Sequence, residues 1–127
     1  MHLLHKFISI LTILIMLHTT LAFGSGIFSG KWEGEWRNSL GERGEDSLVL
    51  REHRDGTLHG IWTGEIEVSG SRINPNTVEL RGQTAARSYQ ITATLDMDRD
   101  EMHLKYIVTR MNAGGSYHGS SRLYRIR

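Results

Sequence analysis

The chain has no cysteine, a single proline (Pro75) among 127 residues, and no long apolar run beyond its N-terminal segment. Without cysteine there is no disulfide framework, no thiolate nucleophile and no lipid-modified cysteine to tether it. Charge of one sign is missing too: 15 basic residues stand against 14 acidic ones, with the signs interleaved along the chain. A nucleic-acid footprint needs a basic stripe, which alternation does not supply. The basic ending Arg122-Leu-Tyr-Arg-Ile-Arg127 is too short to make one. No G-x-S-x-G elbow and no Ser/His/Asp set of defensible spacing occurs, so nucleophilic catalysis has no support.

The N-terminal segment has the form of a secretory signal. His5 and Lys6 precede an eleven-residue apolar run, residues 7–17, and small residues Thr20 and Ala22 follow where a signal peptidase reads. Eleven residues of helix rise about 16 Å, about half of a bilayer's hydrocarbon core. The expected division is a signal over residues 1–22, cleaved after Ala22 or Gly24, a flexible lead-in over 23–30, and one domain over 31–127. The rival is an uncleaved anchor over residues 3–23.

What the chain does have is a two-residue rhythm. In Gly30-Lys-Trp-Glu-Gly-Glu-Trp36, residues Trp32, Gly34 and Trp36 alternate with Lys31, Glu33 and Glu35. A strand over 31–37 puts two indoles on one face and three charges on the other, whereas a helix would spread them around its girth. A polar, Gly-punctuated loop over 38–45 leads to a second strand over 46–53, with Leu48 and Leu50 on its apolar face. The same alternation then carries Leu58, Gly60 and Trp62; Ile66 and Val68; Val78, Leu80 and Gly82; Tyr89, Ile91, Ala93 and Leu95; Met102, Leu104, Tyr106 and Val108; and a last strand over 116–125. A three-residue loop at 54–56 with left-handed Gly56 pairs Leu48 with Trp62 and Leu50 with Gly60, whereas a two-residue loop would scramble the faces. Ser69-Gly70 marks an expected bulge before Ile73.

Eight such strands joined by hairpin-length loops predict an all-β fold: a single antiparallel up-and-down β-barrel, with a two-sheet sandwich as the alternative. Successive loops alternate ends. Loops 54–56, 74–76 and 96–100 share one rim; loops 38–45, the Gly64 turn, 84–87 and 111–115 share the other, whose longer Gly-rich loops make it the expected mouth. Trp36, Asn38, Arg110 and Tyr117 fall near that mouth as candidate ligand contacts. Arg110 is in phase with the inward residues, and a cation above an aromatic-lined cavity suits an amphiphile with an anionic head, such as a fatty acid. The inward glycines Gly34, Gly60, Gly82 and Gly119 would leave room for it. Against a cavity stands the bulk of the inward Trp, Leu and Tyr side chains, which can fill a barrel of eight strands.

An N-terminal G-x-W strand opening an eight-stranded meander resembles the calycin group of barrels: lipocalins, fatty-acid-binding proteins and avidins. The resemblance implies that Trp32 is packed by a cation of the last strand, Arg122 or Arg125, and Gly60-Ile-Trp62 is similar to the G-x-aromatic third strand of avidins. After Gly30-Lys-Trp32 the chain departs from the avidin pattern, with Gly34 and Glu35 where that family continues toward its biotin contacts. Biotin is therefore not implied.

Two further groups are weighed. Asp96-x-Asp98-x-Asp100 has the spacing of a Ca²⁺ loop, but Glu101 stands where the EF-hand form needs glycine, and a solvated acidic hairpin is the simpler reading. His53, His59, His103 and His118 all fall on the outer face, with Arg51 rather than His53 opposite His59, so no metal site and no cofactor is expected. The expectation is a secreted or periplasmic, non-catalytic barrel that binds a small apolar or amphiphilic molecule, with Trp32, Trp62, Arg122 and Arg125 in structural roles. The alternative is a filled barrel that engages a protein partner, as an inhibitor or envelope accessory factor. An enzyme using a rim carboxylate such as Glu45 comes third. Neither a nucleic-acid partner nor a membrane span after signal cleavage is expected.

Overall fold

Alternating apolar and polar residues can satisfy their backbone and hide one face only by pairing side by side around a common core. In the computed structural model, which describes residues 26–127, they do so in eight strands. These are β1 (Gly30–Asn38), β2 (Arg43–Glu52), β3 (Thr57–Trp62), β4 (Ile66–Asn74), β5 (Thr77–Gln83), β6 (Arg87–Asp96), β7 (Glu101–Arg110) and β8 (Ser116–Ile126). Each strand pairs antiparallel with the next, and β8 returns to β1, so the sheet closes. Closure leaves no edge with unpaired N–H and C=O groups, and it rules out the two-sheet sandwich. The expected signal, residues 1–22, lies outside the described residues.

The inward residues follow the predicted rhythm. Trp32, Leu48, Leu50, Leu58, Trp62, Ile66, Val68, Val78, Leu80, Tyr89, Ile91, Ala93, Leu95, Met102, Leu104, Tyr106, Val108 and Leu123 form one buried cluster with Phe28. Leu48 pairs with Trp62 and Leu50 with Gly60. The turn between them holds Gly56 at φ +86°, with Gly56 N–H donating to the His53 carbonyl and His53 N–H to the Thr57 carbonyl. This is the three-residue loop that the pattern requires.

Three local expectations are corrected. The loop placed over 38–45 is shorter, because Arg43, Gly44 and Glu45 continue β2 opposite Arg37, Trp36 and Glu35. Gly44 reads as a loop residue in sequence, but a Cβ there would lie 2.8 Å from the Trp36 Nε1, so the glycine serves the indole that covers it. Second, Ser69 and Gly70 pair regularly with Arg81 and Leu80, and the register shift falls instead between Arg72 and Asn74, leaving Ile73 55% exposed. Third, the lead-in is packed rather than flexible from Gly26 onward.

That packed lead-in plugs one end of the barrel. Phe28 is fully buried, its carbonyl accepts from Trp32 Nε1 at 3.1 Å, and the Arg72 guanidinium lies 5.0 Å from its ring centre. Glu52 accepts from the Gly26 N–H at 3.1 Å and forms an ion pair with Arg72, while Ser29 Oγ accepts from the Glu52 N–H. The last-strand arginine on Trp32 is Arg125: its guanidinium sits 4.2 Å from the ring centre and donates to the carbonyls of Ser29 and Ile27 at 2.8 and 2.6 Å. Arg122 is exposed on the outer wall opposite Glu35 and is not that partner.

Candidate functional site

The other end of the barrel is the mouth, and its lining starts from a buried charge. Asp46 lies one inward step from Leu48 on β2 and is almost wholly buried. Its Oδ2 accepts from Trp62 Nε1 at 3.0 Å and from Ser121 Oγ at 2.5 Å, and its Oδ1 from the Ser47 N–H at 2.9 Å. Loss of hydration outweighs these donors and raises its carboxyl above the ordinary 3.8. Trp62 meets Tyr89 and Tyr106 edge-on at 5.5 and 5.0 Å. Burial first, then the Asp46 and Tyr117 charges, pushes the Tyr106 phenol up to about 12. Its hydroxyl donates to the Arg37 carbonyl at 3.3 Å.

A proton held more tightly in the folded chain has a stability signature with a definite sign. Because the folded carboxyl of Asp46 is raised, the stability it contributes is complete below the ordinary carboxylate range and is lost as pH rises through the folded value. Asp46→Asn keeps an oxygen for Trp62 and Ser121 but carries no charge. Its stability relative to the parent should therefore climb as pH rises above the ordinary carboxylate range, as urea unfolding across a pH series would read. A difference that does not vary with pH would show that Asp46 is not held above its ordinary range.

Above this layer stand the residues expected at the mouth. Trp36 and Tyr117 are half-buried, and Tyr117 packs against the core cluster. Arg110 is exposed with its guanidinium 5.2 Å from the Tyr117 ring centre. Asn38 is used differently. Its Oδ1 accepts the N–H groups of Leu40 and Glu42 at 3.0 Å and its Nδ2 donates to Glu42 at 2.9 Å, so its amide shapes the β1–β2 turn. Asn favours such self-bonded turns, and that bland role explains its position. The sequence reading missed Arg87, which sits directly opposite Arg110 in the β6–β7 ladder and is likewise exposed. Cross-strand partners share a face, so two guanidiniums flank the inner side of the mouth. In the sequence Arg87 falls at the boundary between the β5–β6 loop and the strand, and the structure makes it the first residue of β6.

The inward glycines do not provide a cavity. A Cβ on Gly34 would overlap the Arg122 carbonyl, and one on Gly60 the Val49 carbonyl; the space beside Gly119 is taken by the Tyr106 ring. These glycines let neighbouring main chain or rings approach closely. Three open hollows of about 580, 880 and 1260 Å³ lie on the outer wall, lined mainly by outward residues such as Lys105, Ile107, His118, Arg81 and Glu33.

Asp100 accepts from Arg125 at 2.9 Å and Arg127 at 2.8 Å, the Arg125 bond chiefly holding its carboxyl below the ordinary value, and Asp96 lies 3.9 Å from Arg99. Two carboxylates of the supposed Ca²⁺ spacing thus face arginines. His59 does stand opposite Arg51, yet His53 reaches it from the turn: the rings stack at 4.6 Å with Nε2 of His53 2.6 Å from Nδ1 of His59. Ladder register alone could not show a contact made from a turn. Among the described residues no group of three or more His, Asp or Glu converges as metal ligands would.

No family model and no curated protein sequence matches the chain. By structure it is similar to EF1p2_mFAP2b, solved bound to DFHBI, with a TM-score of 0.61 at 13% identity over 79% of this chain and 94% of that one. It is also similar to a redesigned β-barrel, with a TM-score of 0.51 at 19% identity over 80% of this chain and 93% of that one. At such identities the likeness is one of architecture, and what the chain shares with both is a small β-barrel.

Proposed function

We propose that this is a non-catalytic, exported binding barrel of calycin-like build that takes a small amphiphile with an anionic head at its mouth. The observation that carries the reading is the Arg110 guanidinium laid over Tyr117 directly opposite Arg87, with no carboxylate paired to either among the described residues. Two adjacent guanidiniums bind one anion by charge-assisted hydrogen bonds, and the half-buried faces of Trp36 and Tyr117 offer an apolar shelf for the rest of the molecule. The filled layer of Trp62, Tyr89 and Tyr106 beneath confines the ligand to this shelf. A barrel of the same architecture solved with DFHBI supports small-molecule binding by a chain of this size.

Calorimetric titration with laurate and with dodecanol tests the reading. Laurate should bind, dodecanol should bind at least about tenfold more weakly, and Arg110→Ala should remove most of that difference, since a hydrogen bond to a charged group is worth about 1.5–3 kcal/mol. Equal binding of the two, or of neither, would sink it.

The same filled interior favours a second reading, in which the barrel is a rigid post whose rim engages a protein. Native mass spectrometry of the purified chain separates them. A lipid-sized adduct released by Arg110→Ala supports the first, and an adduct-free chain the second.

A further inference from the structure

Arginines are distributed unequally between the two ends of the barrel. At the plugged end Arg72, Arg99, Arg125 and Arg127 each lie against a carboxylate: Glu52, Asp96 and, for the last two, Asp100. At the mouth Arg37 stands directly opposite Arg43 across β1–β2, and Arg87 opposite Arg110 across β6–β7. All four are exposed, and among the described residues no ion pair engages any of them. The carboxylates of this rim are Glu42, bonded to Asn38, and Glu65 in the β3–β4 turn; Glu35 and Glu45 lie one step down the outer wall. Like charges directly opposite destabilise a strand pair. Two such pairs at one end, with none of the ion pairing seen at the other, make that end a place where an external anion is favoured.

The same rim carries its own apolar tips. Leu40, in the β1–β2 turn, is 53% exposed, and Met111, in the β7–β8 loop, is 51% exposed. Between these loops run β8 and β1, fastened by the Ser39 N–H donating to the His118 carbonyl at 2.8 Å and the His118 N–H to Ser39 Oγ at 3.2 Å. The arginines and both tips therefore occupy one contiguous sector of the rim, from β6 through β7, β8 and β1 to β2. At the opposite end Asp55, Asp96, Asp98 and Asp100 stand among Arg54, Arg72, Arg99, Arg125 and Arg127, and its exposed apolar residues Ile73 and Met97 lie within this charge-balanced surround.

We infer that the mouth docks on an anionic lipid surface, with Leu40 and Met111 entering the headgroup layer and Arg37, Arg43, Arg87 and Arg110 meeting lipid phosphates. Separated apolar tips within a cationic sector suit a planar, deformable, negatively charged partner better than a protein groove, which would demand a continuous apolar patch. The far end, where carboxylates and arginines balance, offers no comparable unpaired cationic sector, so the mouth is the end that faces such a surface. The docking shares Arg87 and Arg110 with the ligand reading above, but its test turns on Arg37 and Arg43, which that reading does not use.

Co-sedimentation with phosphatidylcholine vesicles, alone or with about a third phosphatidylglycerol, tests the inference. The chain should partition onto the anionic vesicles at low salt and be released at about 0.5 M salt. A juxtamembrane arginine contributes about a fivefold gain in partition, so Arg37→Glu with Arg43→Glu should reduce it more than about twentyfold. The neutral pair Arg37→Gln with Arg43→Gln, which relieves the like-charge contact and should leave folding intact, should reduce it about twentyfold, and the charge-reversed pair should reduce it further still. Leu40→Asp with Met111→Asp should also weaken it, whereas Arg54→Glu at the far end should not. Equal partition onto both vesicle types, partition onto neither, or indifference to the Arg37 and Arg43 changes would overturn the inference.

Discussion

Gly60→Ala and Gly34→Ala are expected to destabilise the barrel by about 3 kcal/mol or more each, the upper range for overpacking. The added carbon would fall on the main chain of the neighbouring strand, the Val49 carbonyl in one case and the Arg122 carbonyl in the other. A side chain can change rotamer to make way, but a carbonyl inside a closed ladder moves only if the strand moves, and each strand here is held on both sides. Gly44→Ala gives the contrast, because there the new carbon meets the half-exposed indole of Trp36, which can tilt, and about 1 kcal/mol is expected. Urea unfolding of the three variants is the measurement. Should Gly60→Ala and Gly34→Ala unfold no more easily than Gly44→Ala, the strands do not approach as described.

Trp32→Ala should remove about 3–5 kcal/mol, the usual range for emptying a buried aromatic site. The loss exceeds the void itself, because Trp32 also ties the plug through its bond to the Phe28 carbonyl. Arg125→Ala should remove about 2 kcal/mol by freeing the carbonyls of Ser29 and Ile27 and leaving Asp100 with Arg127 alone. The two sites touch through the guanidinium over the indole, so the double variant should be more stable than the sum of singles implies, by about 1 kcal/mol. Arg125→Lys should not rescue, since an ammonium has no planar fork to face an indole while holding two carbonyls and a carboxylate. Simple additivity in the double-mutant cycle would mean that the stacked contact contributes nothing.

The fold was legible in the sequence because a period of two leaves little choice: once one face of a strand is apolar, register follows, as the Leu48–Trp62 and Leu50–Gly60 pairs show. Turn chemistry was legible where one residue has one use, as at Gly56. What escaped were residues whose meaning depends on a neighbour distant in sequence. Gly44 looks like a loop until Trp36 is seen lying over it, and Phe28 looks like a tether until Trp32 and Arg72 close on it. Of the candidate site, Arg110 and Tyr117 could be placed by phase alone. Arg87 could not, because whether it opens β6 or ends the β5–β6 loop depends on how many residues that loop consumes. Asn38 illustrates the converse error, in which a polar residue at a mouth is spent on its own turn.

The seam between β1 and β8 joins the two ends of the barrel sequence, with Trp32 paired to Arg125 and Gly34 to Leu123. Pairing these strands closes the longest stretch of chain in the barrel, so it is expected to come late, and the folding rate should fall in the slow range for non-local β topologies, milliseconds to seconds. Until then both partners are bare ribbons able to recruit the matching strand of another molecule. Crowded refolding should accordingly yield strand-exchanged dimers that dilution avoids.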